Sequence, residues 1–349
     1  MKIYEERRLK LTENLSGDIA VIIPGSVLAN RSNDTAYPFR QDSNFYYLSG
    51  FNEPDSTMMI ISKSGKTNSI GFVPKKDKLK EIWDGFRHGP EGMKSDFGFN
   101  DAFNNDEIDE LLPDLLDGVS CVYYPFGKVE GFDQKVIKWT KKANSKDRHS
   151  KKMEIADISK IIGNKRLIKD SSEINIIEKA CKISANAHLE AMKFVKPGMN
   201  EAEVEAFYLY EFAKNGGRFP AYNPIVASGE NACVLHYVEN NQVINDGDLL
   251  LVDAGCEYEM YASDITRTFP ANGKFSDEQL QIYNIVLEAQ KASVDAVSKG
   301  NGVMDPQTIS EKVITEGLID LGIIKGNLEE EHEKGSFKDF YMHKIGHWM

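Results

Sequence analysis

The chain lacks any apolar run long enough to cross a bilayer, and its start, Met1-Lys2-Ile3-Tyr4-Glu5-Glu6-Arg7-Arg8, lacks the apolar stretch of a secretory leader. No membrane role is expected, and a cytoplasmic protein is. Cysteine is scarce: Cys121, Cys181, Cys233 and Cys256 lie far apart with no CxxC pair. That spacing indicates neither a zinc knuckle nor a disulfide framework, and reduced core thiols fit a reducing compartment. Positive charge is short as well, with 42 Lys and Arg against 54 Asp and Glu and a net charge of −12. Nucleic-acid binding as the main role is excluded, because neutralising phosphates requires a basic face. The basic run Lys141-Lys142-Ala143-Asn144-Ser145-Lys146-Asp147-Arg148-His149-Ser150-Lys151-Lys152 reads as a solvated loop. What remains is an ordinary globular composition, 41% hydrophobic and 28% charged, in a chain of 349 residues that is long enough for two domains.

Residues 1–165 alternate short strands and helices, which predicts an α/β domain. Asp18 to Gly25 is a buried strand closed by Pro24-Gly25, and Ser56 to Ile61, Ser69 to Pro74 and Cys121 to Pro125 are three more. Asp106 to Leu116 predicts a helix kinked at Pro113, or two short helices. Residues 166–349 begin with a helix from Asp170-Ser171-Ser172-Glu173 to Lys196-Pro197-Gly198, with Ile174, Ile177, Cys181, Ala185, His188 and Met192 on one face. A second helix is capped at Asn200 with Glu203 three residues on, and closes at Gly216-Gly217. A strand at Asn223 to Gly229 follows, then a hairpin. A helix from Ser276 to Lys299 has Ser276 and Gln279 as its capping box, and another runs from Asp305-Pro306 to Gly322. The acidic patch Glu329-Glu330-Glu331-His332-Glu333 reads as a solvated loop. Helix, helix, sheet, helix, helix lacks the closing strands of an α+β layer, so an incomplete α+β domain is expected.

The hairpin carries the chemistry. Leu249-Leu250-Leu251-Val252-Asp253 enters, a turn near Tyr258-Glu259 is expected, and Asp264-Ile265-Thr266-Arg267-Thr268-Phe269 returns. That turn places Asp253 opposite Asp264. Like charges so placed repel unless a cation sits between them, and a pair of divalent metals is a natural guest. Two turn-proximal aspartates on a wet hairpin face are the alternative. His236, His343 and His347 join the aspartates as candidate active-site groups. Asp and His suit Mn, Co or Zn, and a carboxylate-rich site leans toward Mn. His343-x-x-x-His347 has no Glu after the first His and is not the zinc-protease helix motif.

These segments resemble the Xaa-Pro aminopeptidases (aminopeptidase P) of the pita-bread metallopeptidases, a group that includes prolidase, creatinase and methionine aminopeptidase. Val252 to Tyr258 and Ala262 to Pro270 are similar to the segments with the first two metal ligands. Ala227 to Ala232 with Leu235-His236-Tyr237 is similar to a substrate-side histidine motif. Met342-His343-Lys344-Ile345-Gly346-His347-Trp348 is similar to the segment with a second such histidine and a metal-binding one. Phe39 to Phe51 resembles the signature of the family's N-terminal domain, which favours aminopeptidase P over methionine aminopeptidase.

The resemblance implies an α/β N-terminal domain at 1–165 and a pita-bread metallopeptidase domain at 166–349. It implies two divalent metal ions, Mn²⁺ first with Co²⁺ or Zn²⁺ as alternatives, held by Asp253, Asp264 and His347. His236 and His343 would serve the substrate and its tetrahedral intermediate, with a bridging hydroxide attacking the bond before proline. The implied substrates are peptides with proline at the second position. A homo-oligomer, dimer or tetramer, is implied through Glu81-Ile82-Trp83-Asp84-Gly85, similar to a segment that reaches a neighbouring subunit's site in tetrameric relatives. The family completes its site with two glutamates downstream of the histidine motif. Neither has a counterpart before Met349, so a chain ending ahead of them, and disabled by their absence, is one expectation. A prolidase, or a non-catalytic pita-bread binding module, is the alternative.

Overall fold

A computed structural model describes residues 2–146 and 152–348. They form two compact units, divided between Asp170 and Ser171. In the first, α1 (Lys2–Thr12) precedes the central strand β1 (Ile19–Pro24), all of whose residues are buried. Then follow α2 (Ser43–Ser49), β2 (Thr57–Lys63), β3 (Lys66–Val73), α3 (Lys78–Asp84), α4 (Gly89–Phe97), β4 (Asp101–Asn104), α5 (Ile108–Leu115), β5 (Cys121–Tyr124), α6 (Phe132–Asn144), β6 (Glu154–Asp157) and α7 (Ser159–Leu167). The sheet runs β4-β3-β2-β1-β5-β6. The pairs β1·β2 and β2·β3 are antiparallel, whereas β3·β4, β1·β5 and β5·β6 are parallel.

Alternation along β1 divides the core into two layers. Ile19, Val21 and Ile23 pack with Leu11 of α1, Phe45 of α2, Met93 of α4 and Ile162 of α7. Ala20 and Ile22 face Leu112 of α5 and Val136 and Trp139 of α6. The strands expected at 18–25, 56–61, 69–74 and 121–125 are thus β1, β2, β3 and β5. The basic run differs from expectation: Lys141, Lys142, Ala143 and Asn144 close α6, whose buried face includes Ala143, and residues 147–151 lie outside the described ones. Asn105–Glu107 is a 3₁₀ turn leading into α5, which holds Pro113 inside it.

The Phe39–Phe51 segment has a physical reason for its composition. The Asp42 carboxylate accepts from the amides of Asn44 and Phe45 and caps α2, and Gly50 ends it at φ 69°. A Cβ on Gly50 would lie 2.4 Å from the Tyr4 ring. The buried Gln41 amide accepts from the backbone amides of Ser26 and Asp42 and donates to the carbonyls of Phe51 and Glu53. No residue of α3 is buried, and Trp83 is 88% exposed on it.

The second unit contains α8 (Ser171–Phe194), α9 (Glu201–Lys214), β7 (Phe219–Pro220), β8 (Ile225–Ser228), β9 (Leu249–Asp253), β10 (Cys256–Tyr258), β11 (Tyr261–Ala262), β12 (Thr266–Pro270), α10 (Asp277–Asp295), α11 (Asp305–Asp320) and α12 (Leu328–Lys334). Two small sheets, β11-β10-β7 and β12-β9-β8, pack one face against α8 and α9 through Ala180, Ala187, Val204, Tyr208, Val226, Leu250 and Val252. Ala289 of α10 packs with Ile314 and Leu318 of α11 in a cluster of their own. Two expectations are corrected here. The acidic patch at 329–333 is helix α12, because Asn327 accepts from the Glu330 amide and three glutamates in the first turn favour the helix dipole. The helix capped by Ser276 ends at Asp295, short of Lys299. Among the described residues no helix is long and apolar enough to cross a membrane.

Candidate active site

Asp253 ends β9 on the face turned away from α8 and α9, since Leu250 and Val252 occupy the helix side. The hairpin turns one residue later than expected. Glu259 and Met260, with φ of 47° and 70°, connect β10 to β11. Asp253 therefore pairs with Thr266, and Glu257 with Ala262. The direct opposition of Asp253 and Asp264 is thus corrected, and the physical reason is this shift of the turn. Asp264 is the diagonal neighbour of Asp253, two residues from Thr266 and on the same face, a relationship that spans roughly 7–8 Å between backbones. Between the two aspartates lies Gly255, where a Cβ would stand 1.8 Å from the Ser263 carbonyl oxygen. A residue without a side chain is required at that crossing.

The hydroxyl of Tyr222 stands between the carboxylates, 2.5 Å from Oδ1 of Asp253 and 3.1 Å from Oδ1 of Asp264. It has one proton and donates to one of them at a time. Burial raises the pKa of Asp253 and the neighbouring charge of Asp264 adds to it. Hydrogen bonds from Tyr222 and Thr266 and the nearby His236 imidazole oppose the rise without cancelling it. Burial and the two carboxylates push the Tyr222 phenol far above its ordinary range, so it remains a donor.

His347 reaches the same site. Its Nε2 is 3.2 Å from Oδ2 of Asp264, and its Nδ1 is 3.0 Å from the Trp348 carbonyl. The bond to that carbonyl raises its pKa most, burial opposes the rise, and the bond and charge of Asp264 with the charge of Asp253 add to it, so the pKa stands above its ordinary value. His236 lies on an exposed segment close enough to Asp253 to act on its carboxyl. His343 turns to its own backbone: Nδ1 is 3.0 Å from the Lys344 carbonyl and the ring meets Tyr341 edge-on at 5.1 Å. Of the expected groups, then, Asp253, Asp264 and His347 are brought together, His236 is adjacent, and His343 is directed elsewhere.

Among the described residues no group of three or more His, Cys, Asp or Glu side chains is gathered closely enough to hold an ion in this arrangement. The donor chemistry nevertheless suits a divalent cation. Two carboxylates share a face at a cost in repulsion, and one is buried enough to resist ionisation. When Nδ1–H of His347 bonds the Trp348 carbonyl, the Nε2 lone pair is left for a metal. Tyr222 and Thr266 were not expected here. Tyr222 lies between Pro220 and Pro224, which signal a turn but say nothing of where its hydroxyl points.

Residues 175–349 match the description of metallopeptidase family M24, and residues 4–123 match the aminopeptidase P N-terminal domain. The Xaa-Pro aminopeptidase of Haemophilus influenzae is 39% identical over 99% of this chain and 78% of its own length. That of Escherichia coli is 37% identical over 99% and 79%. Among solved structures, Pseudomonas aeruginosa aminopeptidase PepP superposes with a TM-score of 0.96 at 40% identity, covering 99% of this chain and 79% of that one. A zinc-substituted E. coli aminopeptidase P in complex with product gives 0.96 at 37%, covering 99% and 80%.

Proposed function

Because the chain belongs to metallopeptidase family M24, with the aminopeptidase P N-terminal domain ahead of the peptidase domain, we propose that it is a metal-dependent aminopeptidase releasing an N-terminal residue that precedes proline. The observation that carries this reading is the placement of Asp253 and Asp264 on one hairpin face with His347 against Asp264. These three residues would hold two divalent ions, Mn²⁺ first among Mn, Co and Zn given two carboxylates to one imidazole. The metal supplies Lewis acidity toward the scissile carbonyl and acidifies bound water. Tyr222 orients the two carboxylates through its hydroxyl, and Thr266 donates to Asp253. His236, next to Asp253, donates a hydrogen bond to the substrate carbonyl. His343 takes the second donor role, with its imidazole turned from the Lys344 carbonyl toward the peptide.

The substrates are peptides with proline at the second position, as the names of the relatives suggest. Neither a prolidase nor a non-catalytic module is favoured by them. The exposed Trp83 on α3 supports assembly into a homo-oligomer, and four free cysteines support a cytoplasmic setting. The test is hydrolysis of Ala-Pro-Ala by the purified chain with Mn²⁺, beside Asp264→Ala. Turnover that disappears in the variant supports the reading; turnover that survives it, or its absence from the parent chain, defeats it.

A further inference from the structure

The Glu201 side chain is wholly buried at the first turn of α9, and it accepts hydrogen bonds on both oxygens. Oε1 receives the Ser228 amide at 2.8 Å, the Ser228 hydroxyl at 2.7 Å and the Asn231 amide group at 3.1 Å. Oε2 receives the Tyr237 hydroxyl at 2.7 Å and the Gln242 amide at 3.0 Å. A buried carboxylate without partners is strongly disfavoured, and donors of this number make it the fixed point of its surroundings. Burial alone would raise its pKa, yet the bonds from Ser228, Gln242 and Tyr237 hold it below the ordinary range, so it is an anion at neutral pH.

The donors all belong to the segment from Ser228 to Gln242, which leaves β8 and returns toward β9, and His236 lies within it. From Cys233 to Glu239 every residue is exposed except Tyr237. Tyr237 is thus the tether nearest His236 in sequence, and the tether ends on Glu201. Asn240 closes the segment: it is buried at φ 46°, accepts from the Val226 amide at 2.9 Å, and donates to Glu205 at 3.0 Å. Two carboxylates of α9 therefore grip a loop that has little apolar burial of its own.

We infer that Glu201 is a positioning residue for His236: its buried carboxylate, through Tyr237, fixes the exposed segment that presents the imidazole to the site. This rests on the proposed role of His236 toward substrate. Glu201 does not touch the aspartates and acts only through the loop. Replacing it by glutamine swaps one acceptor oxygen for a donor, so at least two of the present donors lose their partner. Tyr237→Phe removes one donor and keeps the buried ring.

The experiment is hydrogen exchange on the full chain without metal or substrate, for the parent, Glu201→Gln and Tyr237→Phe. It is paired with kcat/KM on Ala-Pro-Ala with Mn²⁺ in Tyr237→Phe, His236→Ala and their combination. Amides at 232–238 are expected to exchange about tenfold faster in both loop variants, with those of β9 unchanged. Tyr237→Phe should lower kcat/KM about tenfold at unchanged Mn²⁺ affinity, and add nothing to His236→Ala. Unchanged exchange at 232–238, or a loss that multiplies that of His236→Ala, overturns the inference alone. Full activity of His236→Ala overturns the proposed role of His236, and this positioning role with it. If Glu201→Gln does not fold, Tyr237→Phe carries the comparison, and exchange decides the anchoring whether or not the tripeptide is turned over.

Discussion

Nε2 of His347 stands 3.2 Å from Oδ2 of Asp264, so an imidazole close to the last described residue meets a carboxylate of the hairpin. Sequence separation makes this contact informative, because the hairpin places Asp264 without help from the tail. If the pair holds metal, His347→Ala and Asp264→Ala each lower Mn²⁺ affinity by more than about a hundredfold. Isothermal titration of the two variants checks this. Unaltered affinity in either one removes that residue from the ligand set.

Tyr222 tests the environment behind the ligands. With its hydroxyl against both aspartates, Tyr222→Phe is expected to weaken Mn²⁺ binding by about 10–100-fold, the cost of losing a partner that orients a ligand. The fold should persist, because the ring remains. Tighter binding in the variant would show instead that the phenol competes with the cation.

Gly255 is a backbone requirement. A methyl group there meets the Ser263 carbonyl at 1.8 Å, and neither strand can yield without breaking the hairpin. Gly255→Ala should cost about 3 kcal/mol or more in urea denaturation. A loss under about 1 kcal/mol would mean the two legs of the hairpin separate easily at that crossing.

Acid should destabilise the second unit in two steps. His188 is buried, with Nδ1 2.9 Å from the Tyr208 hydroxyl and Nε2 3.2 Å from the Ala254 carbonyl. The phenol donates to Nδ1 and Nε2–H donates to the carbonyl, which requires the neutral ring. Burial holds its pKa below the ordinary 6.5. Between those values the unfolded chain binds the extra proton, so stability falls as pH drops below 6.5. Glu201 is held below 4.5, and its contribution, present above 4.5, is lost as pH falls through the folded value. Denaturation midpoints should show the first loss just below pH 6.5, and the second only below pH 4.5, in a scan carried down to about pH 2. His188→Gln should abolish the first and retain the second, and an unchanged first step would contradict the assignment.

Much of the scaffold was legible because it follows local rules. The β1, β2, β3 and β5 strands show apolar runs, and the capping boxes at Asn200 with Glu203 and at Ser276 with Gln279 form as written. The hairpin turn was misplaced because Glu259 and Met260 adopt positive φ without the glycine or asparagine that signals it. Helix α12 was hidden by its charge, since a row of glutamates serves a helix start as well as a loop. Tyr222 and Glu201 had no signal in the sequence. Each acts through atoms brought near by strands far along the chain, and spacing carries no record of that.

The strand order of the first unit also sets a timetable. Ser64-Gly65 joins β2 to β3, so that hairpin closes over the shortest loop, and β1 then pairs with β2 from upstream. The parallel pairings of β4, β5 and β6 must wait for their crossover helices, and each closes a longer loop. Shaving a methyl from Ile60 should therefore slow folding, while Val122→Ala should mainly speed unfolding; the reverse pattern in stopped-flow kinetics would contradict the order. During synthesis the antiparallel half can assemble before the residues of β4, β5 and β6 exist. The edges of β1 and β3 then stay open until the rest of the domain arrives.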